Sequence, residues 1–133
     1  MTLADYDQVV ALWRDTEGIG LSASDERQPL GAYLERNAVM SFVAVAGDRI
    51  VGAVLAGHDG RRGYLHHLAV GPAWRRRGIG RALVDASLAR LQAAGIPKCN
   101  LFLYDHNAAG RAFWEKHGWS ARADLVMMQK MLM

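Results

Sequence analysis

Apolar residues at helical spacing open the chain and predict two amphipathic helices. Thr2 and Asp5 form a Ser/Thr-x-x-Asp/Glu start signal. The apolar residues that follow are spaced by steps of 3, 1 and 3 and form one helical face: Tyr6, Val9, Val10 and Trp13. We expect this helix to end near Gly18 and Ser24 to cap a second helix with apolar residues at Leu30, Tyr33 and Leu34. The loop over residues 18–24 and the second helix would together line a substrate entrance.

The middle of the chain contains runs of Val, Ile, Phe and Ala between turn signals, and these runs predict β-strands. The runs 41–46 and 49–56 flank Gly47-Asp48, so we expect a β-hairpin. A second turn signal over residues 58–63 precedes a third strand, Tyr64 to Val70. Three antiparallel strands are therefore predicted.

The second half of the chain returns to helical spacing. A helix is predicted from about Gly78, with Gly95 and Pro97 ending it. The next segment, Lys98 to Tyr104, places apolar residues on alternate positions and predicts a strand.

The last part of the chain completes the predicted order of elements. Asn107 is expected to cap a helix that runs to Gly118, and a final strand is expected over about 125–132. The order helix, helix, three strands, helix, strand, helix, strand indicates an α+β (mixed α/β) fold with one strand-helix-strand crossover.

The composition suits one globular domain, which we expect to span residues 1–133. The chain has 133 residues, of which 51% are hydrophobic and 22% are charged, enough to bury a core. It has no apolar run of the ~18 residues that a membrane span needs, and no signal-like start, so we expect a cytoplasmic protein without a membrane partner. The single cysteine, Cys99, excludes an intrachain disulfide framework and a zinc site built from cysteines.

Positive charge is concentrated in one short run. The formal net charge is +3, and Arg75-Arg76-Arg77 alone equals this excess. Such a cluster can serve a nucleic-acid backbone or an anionic cofactor, or it can remain solvated. Nucleic-acid binding would require a basic stripe across several elements, and only this run supports it. We therefore expect no nucleic-acid partner.

The residues around the arginines predict an anion-binding loop. Gly71-Pro72 closes a strand, and a helix begins near Gly78. The first N–H groups of a helix lack intrahelical partners and carry about +0.5 charge from the helix dipole, so they can bind a diphosphate. Gly78 and Gly80 remove Cβ atoms that would block a close approach. The loop lacks the Gly-Lys-Ser/Thr ending of a P-loop and the third glycine of a dinucleotide fingerprint. A tight turn with a solvated basic patch is the alternative.

Two blocks of the sequence match the pattern of a known family. The first is Arg/Gln-x-x-Gly-x-Gly/Ala after a strand ending in Leu-x-Val-x-Pro, here Arg75-Arg76-Arg77-Gly78-Ile79-Gly80 after Leu68-Ala69-Val70-Gly71-Pro72. The second is Asn-x-x-Ala-x-x-apolar-Tyr-x-Lys-x-Gly-Phe, matched by Asn107 to Trp119. With these blocks in this order, the chain resembles the GCN5-related N-acetyltransferase (GNAT) superfamily, and looks most like a small bacterial subgroup of it. The resemblance implies a central, mostly antiparallel twisted sheet flanked by four helices, with the cofactor cleft at a splayed strand pair.

The resemblance also implies acetyl-CoA as the cofactor, used as a co-substrate. The backbone of Leu68, Ala69 and Val70 would pair with its pantetheine arm, and Asn107 and Trp114 would contact it further along. The loop that cradles its diphosphate would consist of Arg75, Arg76, Arg77, Gly78, Ile79, Gly80 and Arg81.

The catalytic residues are less well indicated than the cofactor loop. We prefer His66 as the base or water-positioning group, because it lies on the strand that would pair with the cofactor and has an ordinary pKa near ~6.5. Its position is similar to that of a histidine in the arylalkylamine branch of the superfamily, and a purely structural histidine is the alternative. The general-acid tyrosine usual in the family is replaced by Trp114, whose indole cannot protonate a thiolate, and Tyr104 is a candidate donor in its place. Strand alternation would turn His67 to the opposite face from His66, so no metal site is expected.

The sequence thus predicts an N-acetyltransferase that transfers an acetyl group to a primary amine of a small molecule, peptide or protein by direct attack in a ternary complex. The alternative is a catalytically weak acyl-CoA-binding or sensing module that keeps the cofactor cleft. We expect the strand with which the family usually begins to be short or missing here, because Met1 lies just ahead of the first helix. That would leave a sheet edge for a partner chain to cover, as in a homodimer.

Overall fold

The computed structural model describes residues 1–133. The chain divides into two units, Met1–Phe102 and Leu103–Met133. The first unit contains a sheet and three α-helices, and the second contains one α-helix. No helix has both the length and the apolar character needed to cross a membrane.

The elements of the first unit follow the predicted order. The helices are α1 (Tyr6–Arg14), α2 (Arg27–Arg36) and α3 (Ile79–Ala93), and the strands are β1 (Phe42–Ala46), β2 (Arg49–His58), β3 (Gly63–Val70) and β4 (Cys99–Leu101). Short 3-10 turns at Leu3–Asp5, Ala23–Asp25 and Pro72–Trp74 precede the three helices.

The sheet has the strand order β1-β2-β3-β4. β1 with β2 and β2 with β3 are antiparallel, whereas β3 and β4, which are joined through α3, are parallel. The predicted mostly antiparallel sheet with one crossover is confirmed.

Helices cover both faces of this sheet. On one face, the core consists of buried residues from α1, α2, β2 and β3: Val9, Val10, Trp13, Leu30, Ala53, Leu55 and Ala69. On the other face, α3 buries Leu83, Val84 and Leu91. Two strand glycines are in close contact with this helix: a Cβ on Gly52 would be 3.0 Å from Leu83, and one on Gly63 would be 2.9 Å from Leu91. Small residues therefore let α3 pack closely on the strands.

The start of α2 differs from the prediction. Ser22, and not Ser24, caps the turn at Ala23–Asp25, and α2 begins only at Arg27. The reason is a capping box, in which the Asp25 carboxylate accepts the Ser22 N–H while Glu26 takes an extended conformation that breaks the helix. The first helix also ends earlier than predicted, at Arg14 instead of near Gly18.

β4 is shorter than the predicted strand over residues 98–104. It pairs only with β3, and the pairing ends at Leu65↔Leu101. The single cysteine, Cys99, lies in this strand and is half-buried; burial raises the pKa of its thiol to about 11.

The second unit contains α4 (Ala108–Lys116), with Asn107 as its cap, as predicted. The final strand predicted over residues 125–132 is absent: this segment forms no ladder, and Val126, Met128 and Leu132 are 86%, 91% and 87% exposed. A strand is stable only when its backbone groups are paired with a neighbouring strand, and no strand pairs with this segment.

Candidate active site

More than half of β3 has one edge without a neighbouring strand. Its first three residues, Gly63 to Leu65, pair with β4, and the strand then continues to Val70 with β2 as its only neighbour. His66 is the first residue beyond the pairing, and Leu68, Ala69 and Val70 follow it. An extended ligand can pair with the backbone of such an edge. The splayed strand pair implied by the resemblance is therefore present between β3 and β4.

A β-bulge interrupts β3 at the same place. Ala53 pairs with Ala69 and Leu55 with His66, so two residues of β3 oppose one residue of β2. The additional residue is His67, whose φ of 54° lies in the left-handed region. The bulge breaks the alternation of the strand.

The prediction that His66 and His67 face opposite sides of the sheet is therefore wrong. The His66 ring lies 6.3 Å from that of Tyr33 on α2, and the His67 ring lies 4.9 Å from that of Trp13 on α1. Both imidazoles thus lie on the face covered by α1 and α2, with their centroids 6.2 Å apart. No group of three or more His, Cys, Asp or Glu side chains is placed to hold a metal ion.

His66 is a half-buried imidazole without a hydrogen-bond partner in the protein. Its ring is nearly parallel to that of Tyr64, at 6.2 Å. Burial, followed by the charge of neighbouring His67, lowers the pKa of His66 below its ordinary value of 6.5. The side chain is therefore neutral at neutral pH and has a free nitrogen that can accept a proton.

Tyr33 lies next to His66 and close to β2. A Cβ on Gly57 would be 2.4 Å from the Tyr33 hydroxyl and 2.5 Å from the Asn37 side chain, so glycine leaves the space that these groups occupy. Burial raises the pKa of Tyr33 to about 12, which keeps the phenol protonated. The glycine at this position thus leaves room for the phenol beside β2.

The loop between β3 and α3 presents a run of unpaired backbone donors. The N–H groups of residues 76–81 make no hydrogen bond within the protein, and the first helical bond runs from the Ala82 N–H to the Gly78 carbonyl at 3.0 Å. Gly78 has a φ of 78°, and no atom lies within 4 Å of the place a Cβ would take. Together with the dipole of the 15-residue α3, these donors have the geometry and the partial charge that can bind an anion.

The four arginines of this loop are not equivalent. Arg75 donates from Nε to the Val70 carbonyl at 3.0 Å, which ties the loop to the end of β3. The Arg77 guanidinium lies over the Trp74 ring at 5.0 Å, and Arg81 lies 3.7 Å from Asp85 on the helix surface. Arg76 is exposed and has no partner. Of the four guanidinium groups, that of Arg76 is thus the one free of other contacts.

The second unit holds the remaining predicted site residues. Asn107 accepts the Gly110 N–H through Oδ1 at 2.9 Å, so its carboxamide caps α4. Trp114 is half-buried, and its ring packs against those of Phe113 and Trp119 at 5.0 and 5.1 Å. Tyr104 is 53% exposed.

One polar residue beside the site, Asp25, was not predicted from the sequence. Asp25 is buried, and its Oδ1 lies 2.9 Å from Nε2 of His67. The signal that identifies it is the spacing Ser22-x-x-Asp25, the same start signal that Thr2 and Asp5 provide.

Comparison with known proteins decides the family. The profile described as the acetyltransferase (GNAT) family matches residues 6–119. The chain belongs to the GNAT family. Among its relatives, an acetyltransferase of Sodalis glossinidius is 29% identical over 128 residues, covering 96% of this chain and 89% of that protein. An acetyltransferase of Yersinia enterocolitica is 30% identical over 129 residues, covering 97% and 90%.

Solved structures share the GNAT fold of this chain. The PaiA N-acetyltransferase of Thermoplasma acidophilum, in complex with coenzyme A, has a TM-score of 0.80 at 17% identity, covering 92% of this chain and 87% of that one. AAC(6')-Iy, in complex with the bisubstrate analogue CoA-S-monomethyl-acetylneamine, has a TM-score of 0.77 at 17% identity, covering 98% and 95%. The GNAT fold predicted from the sequence is confirmed.

Proposed function

We propose that this GNAT protein transfers the acetyl group of acetyl-CoA to a primary amine of a small molecule, peptide or protein. The observation that carries the proposal is the combination of the open β3 edge with the run of free N–H groups over residues 76–81. The edge offers backbone groups to an extended arm, and the run offers donors to a diphosphate. CoA joins an amide-containing arm to a diphosphate. In the protein sequence, the open edge of β3 is likewise followed by the free N–H groups of residues 76–81.

The arginines would add charge to the diphosphate site to different degrees. Arg76 is free to reach a phosphate, and Arg77 can do so only by leaving the Trp74 ring. Arg75 would act mainly by holding the loop to Val70, because its Nε is already engaged. We therefore assign the strongest phosphate contact among the arginines to Arg76.

His66 would act on the amine. An alkyl ammonium has a pKa near ~10.4 and must lose a proton before it can attack a thioester carbonyl. His66 lies where β3 leaves β4, is neutral at neutral pH and has no partner to displace. It can accept the proton directly or through one water, and the CoA thiol, with a pKa of about 8.5 by analogy with cysteine, can leave without a strong acid. Tyr104 stays a candidate donor for that step.

A weak acyl-CoA-binding or sensing module is the second candidate. Trp114, at the place of the family's tyrosine, supports it, because its ring packs between Phe113 and Trp119 and its N–H cannot protonate a thiolate.

A thiol-release assay with acetyl-CoA and a panel of amines and peptides separates the two candidates. Release that requires a particular amine supports the enzyme. Stabilisation by acetyl-CoA in a thermal unfolding experiment, without acceptor-dependent release, supports the binding module. A melting temperature unchanged by millimolar acetyl-CoA would refute both.

Two glycines at the ends of α3 provide a matched test of the loop. Gly78 and Gly95 have φ values of 78° and 80°, and at neither position does an atom lie within 4 Å of the place a Cβ would take. Valine at either position therefore incurs similar backbone strain. We expect Gly78→Val to abolish CoA binding and Gly95→Val to preserve it, as measured by calorimetry on folded protein. Equal affinities in the two variants would show that the loop is only a turn.

A further inference from the structure

Asp25 and His67 form a buried polar pair beside the open edge of β3. Asp25 is 7% exposed, and its Oδ1 lies 2.9 Å from His67 Nε2. Its Oδ2 accepts the Ser22 N–H at 2.9 Å, and its carbonyl accepts the Tyr6 hydroxyl at 2.9 Å. One residue therefore connects α1, the turn before α2 and β3.

His67 adopts a backbone conformation that needs support. A φ of 54° is uncommon for a residue with a side chain, although histidine tolerates it better than β-branched residues do. Such strain persists only where the surrounding structure determines it, and it is concentrated at functional sites. The surroundings here are the Asp25 carboxylate and the Trp13 ring, 4.9 Å away.

The position of the bulge determines how the rest of β3 is presented. With one additional residue at His67, both His66 and Ala69 lie on the face of α1 and α2. Without it, the alternation of the strand would turn one of them to the other face. The backbone of Leu68 to Val70 would then present different groups to the open edge.

We propose that Asp25 and His67 are a positioning pair for acetyl transfer. Their contact holds the bulge in β3, so that the edge from His66 to Val70 keeps the geometry that binds CoA and His66 stays beside Tyr33. The inference rests on the proposed function, because it concerns the same edge of β3. Neither residue is assigned a contact with substrate.

Substitutions at His67 separate the backbone from the side chain. Asparagine tolerates the left-handed region, whereas valine does not. We expect His67→Val, which loses both the left-handed backbone conformation and the contact with Asp25, to weaken CoA binding by about ten-fold or more. His67→Asn, which keeps the conformation but loses the contact, should have a smaller effect of about three-fold. The readouts are the Kd of CoA by calorimetry and, with an amine identified by thiol release, the KM for acetyl-CoA and kcat.

Substitution of Asp25 removes the carboxylate that contacts His67. We expect Asp25→Ala to weaken CoA binding by about ten-fold, and Asp25→Asn, which can accept only one of the two hydrogen bonds, to have an intermediate effect. If Asp25→Ala does not fold, Asp25→Asn and the two His67 variants still provide the test.

The variant Ser87→Ala is the control for effects that arise only from a general loss of stability. Ser87 is fully buried on α3 and donates to the Met40 carbonyl at 2.7 Å on the other face of the sheet. We expect this variant to be destabilised but to bind CoA with wild-type affinity. Wild-type Kd and KM values in folded Asp25→Ala and His67→Val would overturn this inference alone. Failure of the wild type to bind CoA would overturn the proposed function as well.

Discussion

The two faces of the sheet differ in how many polar side chains they bury. Under α3 the buried side chains are apolar, and Ser87 is the exception. Under α1 and α2 the apolar core is joined by buried Asp25 and Asn37 and by half-buried His66 and His67. Apolar burial stabilises without fixing directions, whereas hydrogen-bonded polar groups fix directions at a net gain that is small. We infer that apolar burial on both faces supplies stability, and that the α1/α2 face in addition supplies geometry.

The largest effect that would test this comparison is expected for Leu91→Ala on the α3 face. Leu91 is 2% exposed and lies against Gly63. Its truncation should lower the free energy of unfolding by about 2–5 kcal/mol, through lost burial and a cavity. Urea unfolding measures this loss, and calorimetry at low temperature should find CoA affinity unchanged. Loss of CoA affinity in the folded variant would contradict the division between the faces.

On the α1/α2 face, the variant His66→Ala should lower turnover. Removal of a base lowers the rate by about 10²-fold or more, with little change in the Kd of CoA. Because burial lowers the pKa of His66, the wild type should lose activity only below pH 6.5, and the variant should lack this acidic limb. Rate profiles from pH 5 to 8 test the assignment. An intact limb in the variant would assign it to another group, with Tyr104 or the amine itself next in line.

Gly57→Ala should affect both stability and activity. The new Cβ would be 2.4 Å from the Tyr33 hydroxyl, and the overpacking should cost about 1–3 kcal/mol of unfolding free energy. Displacement of Tyr33 should also disturb His66 and reduce turnover. Gly71→Ala is the matched control, because its Cβ would make ordinary contacts of 3.5 Å or more. Equal unfolding midpoints for the two variants would show that Tyr33 and Asn37 adjust freely.

The smallest effect concerns the stability of the wild type at acidic pH. Burial lowers the pKa of His66 in the folded chain, so near pH 6 the unfolded chain binds more protons than the folded one. Stability therefore falls as the pH drops below about 6.5 and levels off once the folded pKa is passed, by at most about 1.4 kcal/mol per pH unit for one proton. Urea unfolding between pH 5 and 8 should show that the free energy of unfolding of His66→Ala changes less with pH than that of the wild type. Identical slopes would indicate that His66 titrates normally.

The parts of the molecule that could be predicted are those encoded locally. The anion-binding loop follows from glycines, arginines and a helix start within a dozen or so residues, and the structure has free donors there. The bulge at His67 could not be predicted, because the carboxylate that His67 contacts belongs to Asp25, which lies 42 positions away in the sequence. The end of β4 and the absence of the final strand are also non-local, since a ladder requires a partner strand that the segment itself does not reveal.

The single cysteine has a practical consequence for measuring CoA release with thiol-reactive dyes. The thiolate is the species that reacts with such reagents, and a thiol with a pKa of about 11 is ionised to only about one part in a thousand at pH 8. The CoA thiol, with a pKa of about 8.5 by analogy with cysteine, is ionised to a far greater extent at that pH. Cys99 should therefore remain almost unlabelled during the assay, and the dye signal should report product without a cysteine-free variant.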